Sequence, residues 1–411
     1  MEKASMKRVL SGFLAIAIVL STILVLNYML PLTADAASNT IKVKNTNDSG
    51  TGSLRQALED IEDGGTITFA NSIEGTIFLE ETIFIEKNIS IIGENKITLD
   101  GQSKWQILNS KKDLNINGIT FLNGFHADKG GAIATRGDNI TFTLNNCIFE
   151  NNSAGGWGAA IFASADSIIF DNCIFKNNSS SNDIISVRGD TIFINCSITE
   201  NTTFLGSVIR ATNFDSKDPS IYLYHTTIAN NEGMGVDLSN NESDERNRSP
   251  FFAYNSIISG NTGQFTFGYY KLNGKYNIVG DSLIENVNGV TNKKIFDNNE
   301  VEAGIIELSP NGIAAGKAEP LDFNIFVPDF ITKHEVLEKV SKDIFGENRS
   351  SILGEGYASV NGENVSYGAV ETRASIIPPI WIIISLSVLV ISLIFVLIII
   401  FKARAKKTPI L

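Results

Sequence analysis

The sequence predicts an all-β fold: a right-handed parallel β-helix solenoid with an N-terminal capping helix, followed by one C-terminal transmembrane helix. Three observations lead to this prediction. An imperfect repeat of 23 to 30 residues runs through the chain, each repeat carries the apolar pattern of two short strands, and a long uncharged apolar segment lies near the C-terminus.

The repeat consists of short apolar strings that mostly end in asparagine. When they are aligned, successive strings are 28, 26, 23, 30 and 30 residues apart, and the aligned anchor residues are Ile119, Cys147, Cys173, Cys196, Thr226 and Ser256. Most residues five and three positions before the anchor, and two positions after it, are apolar. Two alternating pairs separated by a step of three indicate two strands joined by a bend, whereas a helix requires spacings of three and four. A third strand follows in each coil, as at residues 130–134 and 158–162.

The bends are rich in asparagine, which tolerates the left-handed backbone conformation. Because coils stack in register, we expect these asparagines to form ladders of side-chain amides close to the core. The three cysteines are all anchors of consecutive coils, so we predict a buried stack of free thiols. Three cysteines also exclude a disulfide scaffold in a chain of 411 residues.

Both ends of the chain carry segments typical of export and membrane anchoring. Residues 1–37 have the charge, apolar core and small residues of a signal peptide, with an uncleaved signal anchor as the alternative. Residues 380–401 form an uncharged apolar run long enough to cross a bilayer, and the basic tail 402–411 favours the cytoplasmic side. We therefore expect an exported protein anchored in the cell membrane, with its ectodomain outside and its C-terminus in the cytoplasm.

The net charge is −12 for the whole chain. Setting aside the seven basic and two acidic residues of the two ends leaves 26 basic and 43 acidic residues, a net charge of −17 for the rest. Such a surface repels nucleic acid at long range, so no nucleic-acid partner is expected. It tolerates Ca²⁺, but no EF-hand or glycine-rich nonapeptide spacing is present, so we predict no cofactor and identify no calcium site.

The open strand edges at the start of a solenoid need a cover. Ser53 and Gln56 have the spacing of a capping box, and Leu54, Leu58 and Ile61 form an apolar stripe, so we predict a capping helix over residues 53–63 that Gly64 ends. Strands are predicted to follow at residues 66–69, 76–79, 83–85, 89–92 and 97–99.

Several motifs resemble a known family. Residues 45–58 (NTNDSGTGSLRQAL), 65–69 (GTITF), 89–93 (ISIIG) and 97–101 (ITLDG) are similar to the opening of pectate-lyase-like β-helix surface proteins of the choice-of-anchor Q group. Residues 343–349 and 367–371 resemble the closing coil of that group, and the Gly-Gly-Ala-Ile and Phe-x-x-Asn strings resemble the repeats of chlamydial polymorphic membrane proteins. The resemblance covers residues 41–371 and implies a closing coil over 343–371. Together with the signal peptide and the apolar span, this predicts an ectodomain over residues 38–371 and a short stalk over 372–379.

Candidate ligand-binding residues lie at outward positions of the third strand. They are Arg136, Phe162, Ser164, Arg188 and Asp237, and the two arginines would stand two coils apart, ~10 Å, a spacing that suits an acidic sugar. Solvated surface residues are the alternative interpretation. Trp105 and Trp157 are further candidates for stacking on sugar, with simple packing as their alternative.

Two functions remain open from the sequence. The first is an adhesin-like, non-catalytic protein that binds a glycan, or an envelope or surface protein, at the cell envelope. The second is a polysaccharide lyase or glycoside hydrolase, because parallel β-helices also host such enzymes. The chain contains no Asp-Asp dipeptide of the kind that polygalacturonase-like hydrolases use, and no catalytic residue is assigned.

Overall fold

The computed structural model describes residues 39–137, 139–212, 219–238, 249–263 and 325–344, together with the backbone of short strands between residues 266 and 308. The predicted signal peptide, stalk, transmembrane helix and tail, and nearly all of the closing coil, lie outside these residues. Among the described helices none has both the length and the apolar character needed to cross a bilayer.

The described chain winds into a parallel β-solenoid of about eight coils. Each coil contributes strands to three parallel ladders, here called sheets 1, 2 and 3. Sheet 1 contains β1 (Thr40–Val43), β2 (Gly65–Phe69), the first halves of β5 (Ile89–Asp100) and β7 (Leu114–Leu122), β10 (Thr141–Asn145), β14 (Ser167–Asp171), β18 (Asp190–Ile194), β21 (Ile221–Tyr224), β24 (Ser249–Tyr254) and β27 (Tyr270–Lys275).

The other two ladders follow around the coil. Sheet 2 contains β3 (Gly75–Phe78), the second halves of β5 and β7, β11 (Ile148–Glu150), β15 (Ile174–Lys176), β19 (Ser197–Thr199), β22 (Thr227–Ala229), β25 (Ile257–Ser259) and β28 (Ile278–Val279). Sheet 3 contains β4 (Ile83–Ile85), β6 (Leu108–Ser110), β9 (Ile133–Arg136), β13 (Trp157–Ser164), β17 (Asp183–Val187), β20 (Thr202–Ala211), β23 (Glu232–Asp237) and β26 (Thr266–Phe267).

A few short elements complete the list. The corner before sheet 3 carries β8 (Phe125–His126), β12 (Ser153–Ala154) and β16 (Ser179–Ser180), and an antiparallel pair is formed by β29 (Phe296–Glu302) and β30 (Ile305–Leu308). The helices are α1 (Leu54–Asp60) and α2 (Lys333–Lys339).

The register of the sheets confirms the repeat. In sheet 1, Leu114 pairs with Phe142, and the ladder continues through Ile168, Thr191, Ile221 and Phe251, with the predicted steps of 28, 26, 23, 30 and 30 residues. In sheet 2, the residues that lie two positions after the anchors are paired with one another from coil to coil in the same order. The prediction of two strands and a bend is therefore confirmed, although the strands predicted at 89–92 and 97–99 form one continuous strand that bends at Glu94 and Asn95.

Stacked phenylalanines fill the core. Phe121, Phe149 and Phe175 stack with ring centroids 4.8 and 4.7 Å apart, and Phe170 stacks on Phe193 at 4.8 Å. All five are fully buried. Because each ring contacts the coils before and after it, adding a coil buries apolar surface on both of its sides.

Two bends in each coil use the left-handed backbone conformation. Before the anchor lie Gly118, Asn146, Asn172, Asn195, His225 and Asn255, all with φ between 47° and 69°. The second bend follows sheet 2 and contains the asparagine pairs, whose first member is left-handed in most coils. Asparagine is thus placed where an L-residue tolerates this conformation best.

The second asparagine of each pair forms a buried ladder. Asn178 Nδ2 donates to the carbonyl of Phe149 (2.9 Å) and to Asn201 Oδ1 (2.9 Å), while its own Oδ1 accepts from the backbone N–H (3.0 Å) and Nδ2 (3.0 Å) of Asn152. The same pattern continues through Asn231 to Asn261. The predicted amide ladder is confirmed, and its buried part lies at the second bend, where it satisfies backbone groups that cannot reach water.

The three cysteines are free and fully buried, as predicted. Each thiol donates to backbone carbonyls of its own or the preceding coil, for example Cys173 to Leu144 at 3.4 Å. Burial is the main cause that raises the pKa of Cys147 and of Cys173 above the ordinary range.

Helix α1 covers the start of the core with buried Leu54 and Ala57. Ser53 Oγ accepts the N–H of Gln56, but the Gln56 side chain donates to Asp60 instead of completing the capping box. The helix ends before the predicted residue 63, because Ile61 takes an extended backbone that buries its side chain.

A segment that sequence analysis did not predict, residues 325–344, packs on the outer face of sheet 1. We call it the strap. Together with outward residues of sheet 1 it forms a second apolar cluster, whose members are Ile192, Ile194, Tyr222, Tyr224, Phe252, Tyr254, Ile325, Ile331, Val336 and Val340.

Polar contacts fix both parts of the strap. The Phe326 N–H donates to the Tyr254 hydroxyl at 3.1 Å, and the Tyr224 hydroxyl donates to the Phe326 carbonyl. Farther along, Asn195 Nδ2 donates to the Lys339 carbonyl at 3.0 Å, and the Lys339 ammonium pairs with Asp171. The strap therefore runs back along the solenoid over several coils.

Replacing Asn178 with Ala is expected to lower the free energy of unfolding by ~3 kcal/mol or more. The change leaves the Asn152 donors and the Phe149 carbonyl buried without their bonds. Urea unfolding followed by circular dichroism measures this loss. The matched control is Asn115→Ala, an exposed ladder residue, for which a loss under ~0.5 kcal/mol is expected. Equal losses in both variants would contradict a special role for the buried ladder.

The cysteine stack predicts the outcome of thiol labelling. In native protein, none of the three thiols should react with iodoacetamide in the time that labels all three in concentrated guanidinium, since burial removes both access and the reactive thiolate. Mass spectrometry counts the labels. Rapid labelling of the folded protein at any of the three would show that the stack opens readily.

Candidate binding face on sheet 3

The structure brings the five predicted site residues to one outer face of sheet 3. Phe162 is in register with Ser186, which in turn pairs with Arg210 and then Asp237. Arg136 pairs with Ser164 in the next row, and Arg188 continues that row one coil farther on, since its neighbour Val187 pairs with Ala163. The five residues therefore lie in two neighbouring rows of sheet 3.

The exposure of these residues differs from that of a bare solvated surface. Arg136 is exposed and Arg188 half-buried, but Phe162, Ser164 and Asp237 are each only 3% exposed. The Phe162 ring is covered by two cations, with Lys129 Nζ 4.9 Å and Arg188 Cζ 5.2 Å from its centroid. Long basic side chains thus lie along the sheet and cover its apolar positions while their charges remain near the surface.

Sequence analysis missed two residues of this face, Lys129 and Arg210, and a third residue beside it. Lys129 forms an isolated parallel bridge with Trp157 at the edge of sheet 3. Arg210 stands between Phe162 and Asp237 in the outward row, and its Nε lies 3.8 Å from Asp237 Oδ2. The repeat alignment could have found Arg210, because it is one coil beyond Ser186, but no pattern in the sequence identified Lys129.

The cations of this face influence one another. The pKa of Arg188 is lowered, first by burial and then by the positive charge of Arg136. Both effects destabilise the charged form of Arg188. An anion bound beside the two arginines would offset the loss of solvation of Arg188 and the repulsion between the two positive charges. Lys129 and Arg210 bring the cations of this face to four, in a chain whose net charge is −12, although each of these two lies 3.8 Å from a carboxylate, that of Asp128 and of Asp237 respectively.

The third missed residue, Asp183, is a buried carboxyl beside this face. Ser207 donates to its Oδ1 through the backbone N–H (3.4 Å) and through Oγ (3.2 Å), and its Oδ2 has no hydrogen-bond partner among the described residues. Burial raises the pKa of Asp183 from 3.8 to about 6, and Asp237 adds to the rise, while Arg210 and Ser207 act against it.

Aromatic side chains flank the basic face at the corner before sheet 3. Trp157 is 42% exposed and Phe125 38% exposed, whereas Trp105 is half-buried with Lys104 Nζ 4.7 Å above its ring. Trp157 therefore has free surface on which a sugar ring could stack, and Trp105 has less.

The described residues contain no group of three or more His, Cys, Asp or Glu side chains that suits a metal ion. No calcium site is therefore assigned among the described residues.

Comparison of the chain with protein-family models, curated proteins and solved structures returns no match. The resemblance to choice-of-anchor Q proteins therefore remains a hypothesis that rests on the motifs themselves. The architecture, a parallel β-solenoid, follows from the strand pairing alone.

Asp183 predicts a pH dependence of stability. Its pKa is raised in the folded state, so folded protein holds a proton that unfolded protein releases, and the stabilising contribution is present below pH ~4 and lost as the pH rises to about 6. The expected loss is ~3 kcal/mol across that window, and Asp183→Asn should abolish it.

Urea midpoints at pH 4, 5, 6 and 7 measure this dependence for wild type and variant. The exposed Asp166→Asn is the matched control and should keep the wild-type slope. A slope that is the same in Asp183→Asn as in wild type would show that Asp183 titrates alike in the folded and unfolded states.

Proposed function

We propose that this protein is a membrane-anchored extracellular β-helix protein that binds acidic glycans at the cell envelope without cleaving them. The observation that carries the proposal is the group of cations Lys129, Arg136, Arg188 and Arg210 on sheet 3, of which Lys129 and Arg188 lie over the Phe162 ring. Guanidinium groups bind carboxylates and phosphates through paired hydrogen bonds, and aromatic rings stack on sugar faces.

The charge distribution supports an acidic ligand over a neutral one. A protein with excess negative charge repels anionic polymers in general, so binding of an acidic glycan depends on a local basic surface. The repeat supplies one, because equivalent positions in successive coils lie ~4.8 Å apart and present their side chains in a row.

The location belongs to the same proposal and rests on the sequence pattern at the two ends. An apolar span at residues 380–401, a basic tail and a signal-like N-terminus support an anchored ectodomain. Right-handed winding is proposed because connections between parallel strands are almost always right-handed, and the choice-of-anchor Q type is proposed from the motifs alone. A protein of this kind would act close to the membrane, where it could contact envelope glycans.

A polysaccharide lyase or glycoside hydrolase is the second candidate, and Asp183 is the observation that favours it. A carboxyl with a pKa of about 6 near a second carboxylate, Asp237, has the properties of a general acid. Binding is the preferred function because Asp183 is fully buried, and both carboxylates interact with Arg210.

The test compares binding of acidic and neutral polysaccharides. Full-length protein in mild detergent should bind polygalacturonate or alginate more tightly than a neutral glucan, and binding should weaken with salt. Replacing both Arg136 and Arg188 with Ala is expected to lower the affinity at least about tenfold, because each arginine loses a charge-assisted hydrogen bond. Biolayer interferometry on immobilised polysaccharide measures the affinities.

The control removes two charges away from sheet 3, at the exposed Lys42 and Lys96. If the Lys42→Ala/Lys96→Ala protein loses as much affinity as the double arginine variant, general charge and not this face determines binding. The same mixtures are analysed for new reducing ends and for unsaturated uronates, with and without Ca²⁺. Reproducible cleavage products that disappear in Asp183→Asn would replace binding by the enzymatic function.

A further inference from the structure

Among the described residues, two strands at the N-terminal end of the solenoid are paired on one side only. Sheet 1 begins with β1, which covers β2 in register from Thr40–Thr66 to Val43–Phe69. Within the described part of the chain, β3 pairs only with β5, and β4 only with β6. Helix α1 covers the core beside them but occupies neither edge. An uncovered edge invites pairing with another strand.

An apolar cleft of about 350 Å³ lies along the edge of β4. Leu58 and Ile61 form one wall and residues 83–85 the other, and the Phe84 ring is 60% exposed at the opening. The Ile83 N–H donates inward to the Ile107 carbonyl at 3.1 Å. Because successive residues of a strand point their peptide groups to opposite sides, the N–H and C=O of Phe84 face the open edge.

The rim of the cleft is negatively charged. Glu59, Glu81 and Glu86 are exposed there, and the two basic residues of the lining are already engaged within the chain. Arg55 binds the Asp48 carboxylate at 2.9 Å and the backbone carbonyls of residues 81 and 82, and Lys87 donates to carbonyls at the end of α1. Arg55 Nη1 also lies 3.8 Å from the Glu81 carboxylate, so an occupant with positive side chains would meet mainly Glu59 and Glu86, which have no ion pair among the described residues.

The chain itself shows what kind of segment suits such an edge. Strand β1, which covers the neighbouring ladder at the same end, alternates the inward residues Ile41 and Val43 with the exposed Lys42, and Lys44 follows. Its apolar side chains join the core while its lysines face solvent, so an apolar–basic alternation already forms the first rung of sheet 1.

We propose that the β4 edge and its cleft bind one extended segment of a partner protein, in which apolar side chains alternate with lysine or arginine. The segment would add a strand in front of β4, pairing with the backbone of Phe84. Its apolar side chains would fill the cleft between α1 and β4, and its cations would lie beside Glu59 and Glu86.

The probe is a fluorescent peptide with the sequence of residues 39–44, Asn-Thr-Ile-Lys-Val-Lys, titrated with full-length protein and followed by anisotropy. Saturable binding is expected for this peptide, and at least about tenfold weaker binding for the peptide with glutamate in place of both lysines. Phe84→Ser should weaken binding at least about tenfold by removing the aromatic wall. Glu59→Gln/Glu86→Gln should also weaken it, and exposed glutamates can be replaced without loss of folding.

The matched control is Phe204→Ser, which removes another exposed phenylalanine (77%) from a different part of the solenoid. No binding of the lysine peptide, or binding that Phe84→Ser leaves unchanged, would overturn the proposal; in the second case the peptide replaces β1 at the edge of sheet 1.

Light scattering of the protein without peptide tests a different occupant of the edge. A dimer that Phe84→Ser dissociates would show that a second copy of this chain occupies the edge, which would overturn the assignment to a partner protein.

Discussion

In-register stacking of coils is the constraint on which the rest of this structure depends. A single coil cannot bury its inward residues, because its two open sides expose them until a neighbour covers each side. Stacking places equivalent residues ~4.8 Å apart, and that spacing suits both a phenylalanine stack and an amide ladder. The ladder through Asn152, Asn178 and Asn201 is the stricter of the two, since a shift by one residue would leave buried amides and carbonyls without partners. Apolar contacts provide most of the stabilisation, and the amides fix the register.

The same constraint explains how much could be read from the sequence. Inward positions must be apolar in every coil, so aligning the repeat predicted the pairing of Leu114, Phe142 and Ile168 residue by residue. It also placed the five site residues on one face. The burial of Phe162 was not predictable in this way, because it depends on how the long side chains of Lys129 and Arg188 lie across the ring. Such conformations leave no pattern in the sequence.

Other features were hidden for different physical reasons. The register of sheet 3 shifts between Trp157 and Ile161, so the alignment that works in sheets 1 and 2 does not identify the surroundings of Asp183. The strap is a contact between residues more than 70 positions apart in sequence, as between Phe326 and Tyr254. Outward residues such as Tyr222 and Phe252 appear in the sequence as the ordinary alternate positions of strands. Nothing local indicates which distant segment covers them.

The strap also bears on where a ligand can bind. The outer face of sheet 1 carries an aromatic ladder in which Tyr222 stacks on Phe252 at 4.7 Å and Tyr224 on Tyr254 at 5.3 Å. By composition alone it would be the natural place for a sugar to stack, but the strap already covers it and binds both tyrosine hydroxyls of the second pair. The part of sheet 3 around Phe162 instead presents cations, which cover that ring. The solenoid thus uses its most aromatic face to hold its own chain, which leaves the basic face as the surface best suited to an anionic partner.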